Sequence, residues 1–214
     1  LEVLKTGLPE YTVVGVGRED GKTAGEYAPI FFKQAKYTLL DQNTFWLCEK
    51  PDSVGMVGWD AALTRIATWV KLQDKKTGQI LMVVNTHFDH IGTEARRNSA
   101  LLIIEKIKEI VGTSPAILTG DFNVSEDWDA YKTITNNEFI LKDAHKVAGK
   151  RTGVDFTYHN FGKIPAEKCE KIDFIFVTPQ IRVISSYIPF SQLNDTLFLS
   201  DHNPEIVELE IEKS

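Results

Sequence analysis

Four short polar segments of the chain combine carboxylate, imidazole and amide side chains. They are Asn-Thr-His-Phe-Asp-His at 85–90, Gly-Asp-Phe-Asn at 120–123, Lys-Ile-Asp-Phe at 171–174 and Ser-Asp-His-Asn-Pro at 200–204. Cleavage of a phosphoester needs a positioned water, relief of charge on the phosphoryl oxygens and help for the leaving oxygen, which these groups and a hard metal ion can supply. One such segment alone is more often a turn, but four in one chain indicate a hydrolytic site.

The surrounding segments read mainly as β-strands. Alternating or β-branched runs predict strands at 11–17, 30–33, 37–46, 66–72, 80–86, 116–119, 171–177, 182–189 and 205–211. The strands at 66–72 and 80–86 are expected to form a hairpin through the turn residues at 74–78. Loops at strand ends commonly hold catalytic groups on a rigid scaffold, so the four polar segments lie where a site can form.

Two helices are predicted between these strands. Apolar residues recur at helical spacing from Ala100 to Val111, and Gly112 follows where a helix C-cap favours glycine. Ser125 is expected to cap a second, short helix that carries the apolar residues at 128–134. Many strands with few helices outside them predict an α/β fold of two packed β-sheets with helical outer layers.

The composition limits the partners of the chain. Its 214 residues suffice for one core, and its formal net charge of −6 argues against strong duplex DNA binding, which needs clustered Lys and Arg. Cys48 and Cys169 lack any metal-binding or redox spacing. No apolar run approaches the roughly 20 residues of a membrane span. We expect a monomer that is cytoplasmic, or periplasmic or secreted if a leader was removed.

Three of the motifs carry a family resemblance. Gly-Asp-Phe-Asn, Ile-Asp-Phe-Ile and Ser-Asp-His, in this order, resemble the later signature motifs of the endonuclease/exonuclease/phosphatase superfamily, which has the deoxyribonuclease I-like fold. The segment at 25–32 is similar to deadenylase-like and uncharacterised bacterial members. The resemblance runs from about residue 25 to the C-terminus. It implies a four-layer α/β/β/α sandwich, formed by residues 1–214 as a single domain.

The resemblance also implies roles for individual residues near a phosphate. Asp121 matches the residue that orients or deprotonates the attacking water, and Asn123 can hydrogen-bond that water or a phosphoryl oxygen. His202 matches the histidine at the scissile phosphate, and Asp173 matches the carboxylate that pairs with its other ring nitrogen. Asp201 matches a residue on the metal side of the site, with Asp121 as its companion ligand.

Four further residues are predicted to bind phosphate or to support its binding, Arg65 as a residue that could hold a second phosphate or a carboxylate. His87 corresponds to a position that faces the phosphate, and Glu26 falls where related enzymes carry a glutamate partner, so we expect a hydrogen bond between them. His90 and Arg65 are predicted to bind phosphate. Because hard oxygen ligands dominate and no suitable cysteine cluster is present, the expected cofactor is Mg²⁺ or Mn²⁺.

The chain departs from the family pattern near its beginning. The family starts with a strand that bears an asparagine, followed later by a glutamate that is a principal metal ligand, and neither has a match here. Glu2 and Glu10 lack the expected strand-end context. The expectation is therefore a domain that lacks its N-terminal strand and helix, whose metal binding and hydrolysis would be restored by an upstream segment.

The leading functional prediction is a metal-dependent hydrolase that cleaves a phosphoester, as a phosphodiesterase or a phosphatase, by in-line attack of an activated water. Its substrate would be a small molecule or a nucleic acid end. One alternative is a nuclease that acts on single-stranded RNA or DNA ends, with Trp59, Trp128 or Phe161 stacking on bases. Another is a non-catalytic binding module that kept the fold.

Overall fold

The computed structural model describes residues 1–112, 114–136, 141–194 and 197–211. Its helices are α1 (Glu2–Gly7), α2 (Thr93–Val111), α3 (Asp129–Thr135) and α4 (Ala144–Val147), with a 3₁₀ turn at Ala166–Lys168. Its strands are β1 (Tyr11–Val14), β2 (Ile30–Lys33), β3 (Tyr37–Trp46), β4 (Ile66–Asp74), β5 (Ile80–His87), β6 (Ala116–Asp121), β7 (Lys142–Asp143), β8 (Lys150–Gly153), β9 (Asp173–Val177), β10 (Ile181–Ile188), β11 (Gln192–Asn194), β12 (Leu197–Phe198) and β13 (Ile206–Ile211).

A six-stranded sheet with the order β3-β4-β5-β6-β9-β7 forms the centre of the fold. β5 and β6 are parallel, and the other neighbours in this sheet are antiparallel. The register pairs His87 with Asp121 across β5 and β6, and Asp121 with Asp173 across β6 and β9. Three polar side chains predicted from separate motifs therefore lie in one row across the sheet.

One face of this sheet is covered by α2 and α3. Apolar residues of α2 pack with Leu118, Phe122, Phe174 and Phe176 in the largest buried cluster. Phe122 lies edge-on to Phe176, with ring centroids 5.2 Å apart, a favourable aromatic geometry. The phenylalanines next to Asp121 and Asp173 are thus anchored in the core, which holds the neighbouring carboxylates at the sheet surface.

The opposite face of the sheet packs against smaller sheets. Val14, Ile30 and Phe32 from the β1-β2 pair contact Val70 and Leu72 of β4. The three-stranded sheet β13-β10-β8 packs on the same face farther along, where its apolar residues meet those of β5, β6 and β9. The predicted α/β class with packed β-sheets is confirmed. Among the described residues, no helix is long and apolar enough to cross a membrane.

The predicted elements differ from the structure mainly at their ends. The hairpin of β4 and β5 is confirmed, as is the end of α2 before Gly112, whose φ is +58°. The predicted cap at Ser125 is wrong, because α3 begins at Asp129 and the Ser125 hydroxyl donates to Asp127 Oδ1 instead. Trp128 occupies the N-cap position, so Ser125 lies too early in the chain to cap this helix.

Candidate active site

Asp121 lines a polar cavity of about 610 Å³ at the point where β5 and β6 end and β9 begins. Its Oδ2 is 3.5 Å from His87 Nε2 and 4.0 Å from His202 Nε2. Its Oδ1 accepts a hydrogen bond from the backbone N–H of Asn123 at 2.8 Å. The backbone of the following loop thus fixes Oδ1 of the carboxylate, while Oδ2 faces two imidazoles.

Asp173 and His202 form a short hydrogen bond within the cavity. Asp173 Oδ2 lies 2.7 Å from His202 Nδ1, so the proton of that nitrogen is donated to the carboxylate and Nε2 faces Asp121. Burial alone would lower the pKa of His202, but the hydrogen bond and the charge of Asp173 outweigh it and the pKa is raised above its ordinary value. The predicted contact between Asp173 and His202 is therefore present in the structure.

The pKa values of Asp121 and His87 are shifted in opposite directions. Burial, followed by the charge of Asp173, raises the pKa of Asp121 to about 6. Burial, followed by the positive charge of Arg65, lowers the pKa of His87 to about 4. At neutral pH the cavity therefore contains an ionised carboxylate with a pKa suited to proton transfer, beside a neutral imidazole.

The predicted hydrogen bond from Glu26 to His87 is wrong in this structure. His87 Nδ1 lies 3.7 Å from Glu26 Oε2, which is too long for a hydrogen bond. The same oxygen accepts a charge-assisted hydrogen bond from Arg18 Nη1 at 2.6 Å. Glu26 is therefore the partner of Arg18 rather than of His87, and a charge-assisted hydrogen bond of this kind is stronger than one to a neutral imidazole.

Arg65 and His90 lie outside the lining of the cavity. The Arg65 side chain is only 4% exposed, and its Nε lies 3.5 Å from Asp89 Oδ2. Its Nη2 donates to Nδ1 of His90, which is an exposed residue. Neither residue lines the cavity. Their assignment to phosphate stays a prediction.

Asn123 and Asp201 are close to the row but are held differently. Asn123 has a φ of +50°, a left-handed conformation that asparagine tolerates, and its side-chain amide donates to the backbone carbonyl of Phe88. It fixes the loop, and its contact with water or phosphate stays a prediction. Asp201 lines the cavity and accepts a hydrogen bond from the hydroxyl of Ser200.

The cavity fits a divalent cation. Ligand atoms of Asp121, Asp173 and His202 lie within 4.8 Å of one another, and Asp201 lines the same space. The raised pKa of Asp121 reflects a carboxylate that is buried beside another carboxylate, and a cation would relieve this repulsion. Carboxylate oxygens suit Mg²⁺ or Mn²⁺. The structure groups Asp121 with Asp173 and His202, and the assignment of Asp201 as a ligand stays a prediction.

Two residues of the site lack a signal in the sequence. Glu205 lines the cavity, is almost fully buried and lies 2.9 Å from the Lys171 ammonium, and burial raises its pKa. The Tyr158 ring packs against the His202 imidazole, with centroids 4.9 Å apart. His159, next to it, is buried among aromatic rings and does not reach the rim.

Comparison with known proteins agrees with this geometry. The model of the endonuclease/exonuclease/phosphatase family matches residues 11–202. The chain belongs to this family. A crystal structure of a family member from Bacteroides vulgatus is 64% identical, with a TM-score of 0.95 over 99% of this chain and 80% of that one. A mannosyl-6-phosphatase from Bacteroides thetaiotaomicron is 37% identical, with a TM-score of 0.91 over 99% of this chain and 81% of that one.

A viral relative shares the family. An uncharacterised protein of Acanthamoeba polyphaga mimivirus is 30% identical over 98% of this chain and 80% of its own length. The superfamily resemblance predicted from the three motifs is therefore confirmed, and the deoxyribonuclease I-like fold with it.

Proposed function

We propose that this family member hydrolyses a phosphoester by in-line attack of a water that Asp121 orients and deprotonates. The observation that supports this proposal is the charge of the cavity wall. Among the described residues that line it are five carboxylates and two histidines, but neither a lysine nor an arginine: Glu26, His87, Asp121, Asp173, Asp201, His202 and Glu205. Arg18 and Lys171 pair with Glu26 and Glu205, but the remaining carboxylates, Asp121, Asp173 and Asp201, would repel an anionic phosphate unless a cation bridged the two.

The proposed cofactor is therefore Mg²⁺ or Mn²⁺, held by Asp121, Asp173 and Asp201. When bound, such a cation neutralises phosphoryl charge and polarises the ester. The chain's own groups do the remaining work. Asp121 is ionised at neutral pH and would accept a proton from the attacking water. His202, whose Nδ1 proton is donated to Asp173, directs Nε2 at the phosphoryl group as a donor.

We further propose that the substrate is a phosphomonoester of a small molecule such as a sugar. The similarity to a mannosyl-6-phosphatase supports this choice. The acidic wall and the net charge of −6 both oppose a long polyanionic nucleic acid, which depends on many cationic contacts. The proposed enzyme is a single domain that acts on one local phosphate group.

Hydrolysis of a panel of substrates tests this proposal, measured as phosphate from mannose 6-phosphate, p-nitrophenol from the two nitrophenyl esters and strand length for the oligonucleotide. The panel contains mannose 6-phosphate and p-nitrophenyl phosphate as monoesters, bis-p-nitrophenyl phosphate as a diester, and a single-stranded oligonucleotide, each with Mg²⁺ or Mn²⁺. We expect the monoesters to be hydrolysed faster than the diester and the oligonucleotide. Faster shortening of the oligonucleotide would favour the single-strand nuclease, and no hydrolysis in the whole panel would favour the binding module.

A further inference from the structure

Residues 157–160 run between the two loops that carry Asp173 and His202. The Thr157 side chain is fully buried, and its hydroxyl oxygen accepts hydrogen bonds from the backbone N–H groups of Ile172 and Asp173 at 3.0 and 3.1 Å. One side chain thus satisfies two consecutive amides at the start of β9. These two bonds fix the backbone from which the Asp173 carboxylate projects.

The same short segment also holds the loop of His202. The backbone carbonyl of Thr157 accepts a hydrogen bond from Asn203 N at 2.7 Å. Two further bonds run from the N–H groups of His159 and Asn160 to the carbonyl of Asp201. Residues on both sides of His202 are therefore hydrogen-bonded to the segment 157–160. Thr157 of this segment also holds the backbone of Asp173.

We infer that Thr157 is a positioning residue for the Asp173–His202 pair, an inference that rests on the proposed function. The two partners lie 29 positions apart in sequence, yet their atoms meet at 2.7 Å. Functional groups must be held within roughly 0.5 Å of their working geometry, and neighbouring hydrogen bonds provide that precision. The hydroxyl of Thr157 accepts a hydrogen bond from the backbone N–H of Asp173. The backbone carbonyl of the same residue accepts one from Asn203, the residue after His202.

Replacement of the hydroxyl by a methyl group tests this inference. Thr157→Val keeps the shape but leaves two buried N–H groups without an acceptor, whereas Thr157→Ser keeps the hydroxyl. Thr178→Val is the matched control, because Thr178 is also buried and its hydroxyl accepts from Ala116 N at the opposite end of β9. Thr157→Ala removes the same hydroxyl without the added methyl and serves if the valine variant does not fold.

Two readouts are compared among these variants. The first is the downfield Nδ1 proton of His202 in metal-free protein, recorded by NMR and assigned by its loss in His202→Gln. The second is the separation of kcat from KM for a hydrolysed monoester. We expect Thr157→Val to lose the proton signal and to lower kcat by about 10- to 100-fold with KM little changed. Thr157→Ser and Thr178→Val should keep the proton signal and the kcat of the natural protein.

The inference is overturned if Thr157→Val keeps the proton signal and the kcat of the natural protein. It is equally overturned if Thr178→Val loses both as strongly, because the effect would then be general destabilisation. The NMR readout needs no turnover. If the natural protein hydrolyses nothing, the proposed function fails, and the proton signal of the Thr157 variants still decides the positioning role.

Discussion

Asp121→Asn is expected to lower the turnover of a phosphoester by ~10² to 10⁴-fold, the usual cost of losing a positioned acid or base. An asparagine keeps the size of the side chain and the hydrogen bond from Asn123 N, but it cannot accept a proton from water. In the absence of a cation, burial raises the pKa of Asp121 to about 6, so this carboxylate is ionised at neutral pH and is able to accept a proton.

Initial rates at saturating substrate measure the effect, with circular dichroism as the check on folding. Asp155→Asn is the matched control, because the Asp155 side chain is fully exposed and lies outside the cavity. It should retain the turnover of the natural protein. Near-normal turnover in Asp121→Asn would remove this residue from the mechanism.

The second large effect concerns stability and arises from Asp89. Asp89→Ala is expected to lower the free energy of unfolding by about 3 to 5 kcal/mol, because it leaves the buried cation of Arg65 without its carboxylate. The alanine also leaves three backbone donors without an acceptor, because Asp89 accepts hydrogen bonds from the N–H groups of Leu63, Ile91 and Gly92. Urea unfolding monitored by fluorescence provides the measurement.

Glu26→Ala provides the control on the exposed side of the same arginine. Glu26 Oε2 lies 4.0 Å from Arg65 Nη1 and its side chain is 63% exposed, so we expect a smaller loss than in Asp89→Ala, although Glu26→Ala also removes the partner of Arg18. Adding Arg65→Met to Asp89→Ala should recover part of the lost stability, because no unpaired buried cation then remains. Equal losses in Asp89→Ala and Glu26→Ala would contradict this account.

The contribution of Asp89 also has a defined pH dependence. Burial alone would raise the pKa of this carboxyl, but the backbone N–H groups that it accepts from outweigh burial, and the pKa is held well below its ordinary value of 3.8. A lowered pKa in the folded state means that the stabilisation is complete above that ordinary value and is lost as the pH falls below it. The difference in stability between the natural protein and Asp89→Ala should therefore narrow below about pH 4.

The sequence predicted the residues of the central row better than their neighbours. His87, Asp121 and Asp173 stand at strand ends, and strand register then brings them side by side. Hydrophobic patterns and turn residues determine that register, so local sequence carried the information. The pairing of Asp173 with His202 required the family resemblance, because a contact between residues so far apart in sequence has no local pattern.

The contacts that sequence reasoning missed all depend on competition between partners in three dimensions. Glu26 bonds Arg18 rather than His87, and Ser125 bonds Asp127 rather than a helix N–H. Glu205 reads as a surface residue at the start of a strand, and its burial becomes apparent only once Lys171 is placed beside it. Each choice is made by distance and burial, which residue types alone do not fix.

The most direct test of the central claim is phosphate release from mannose 6-phosphate by the natural protein and by His202→Gln, measured side by side with Mg²⁺ and with a chelator. The site predicts hydrolysis that requires the added cation and that falls by ~10² to 10⁴-fold in His202→Gln, whose amide can neither carry the charge of an imidazolium nor form the same bond with Asp173. Equal turnover by the two proteins, or turnover that the chelator leaves unchanged, would contradict phosphoester hydrolysis at this site.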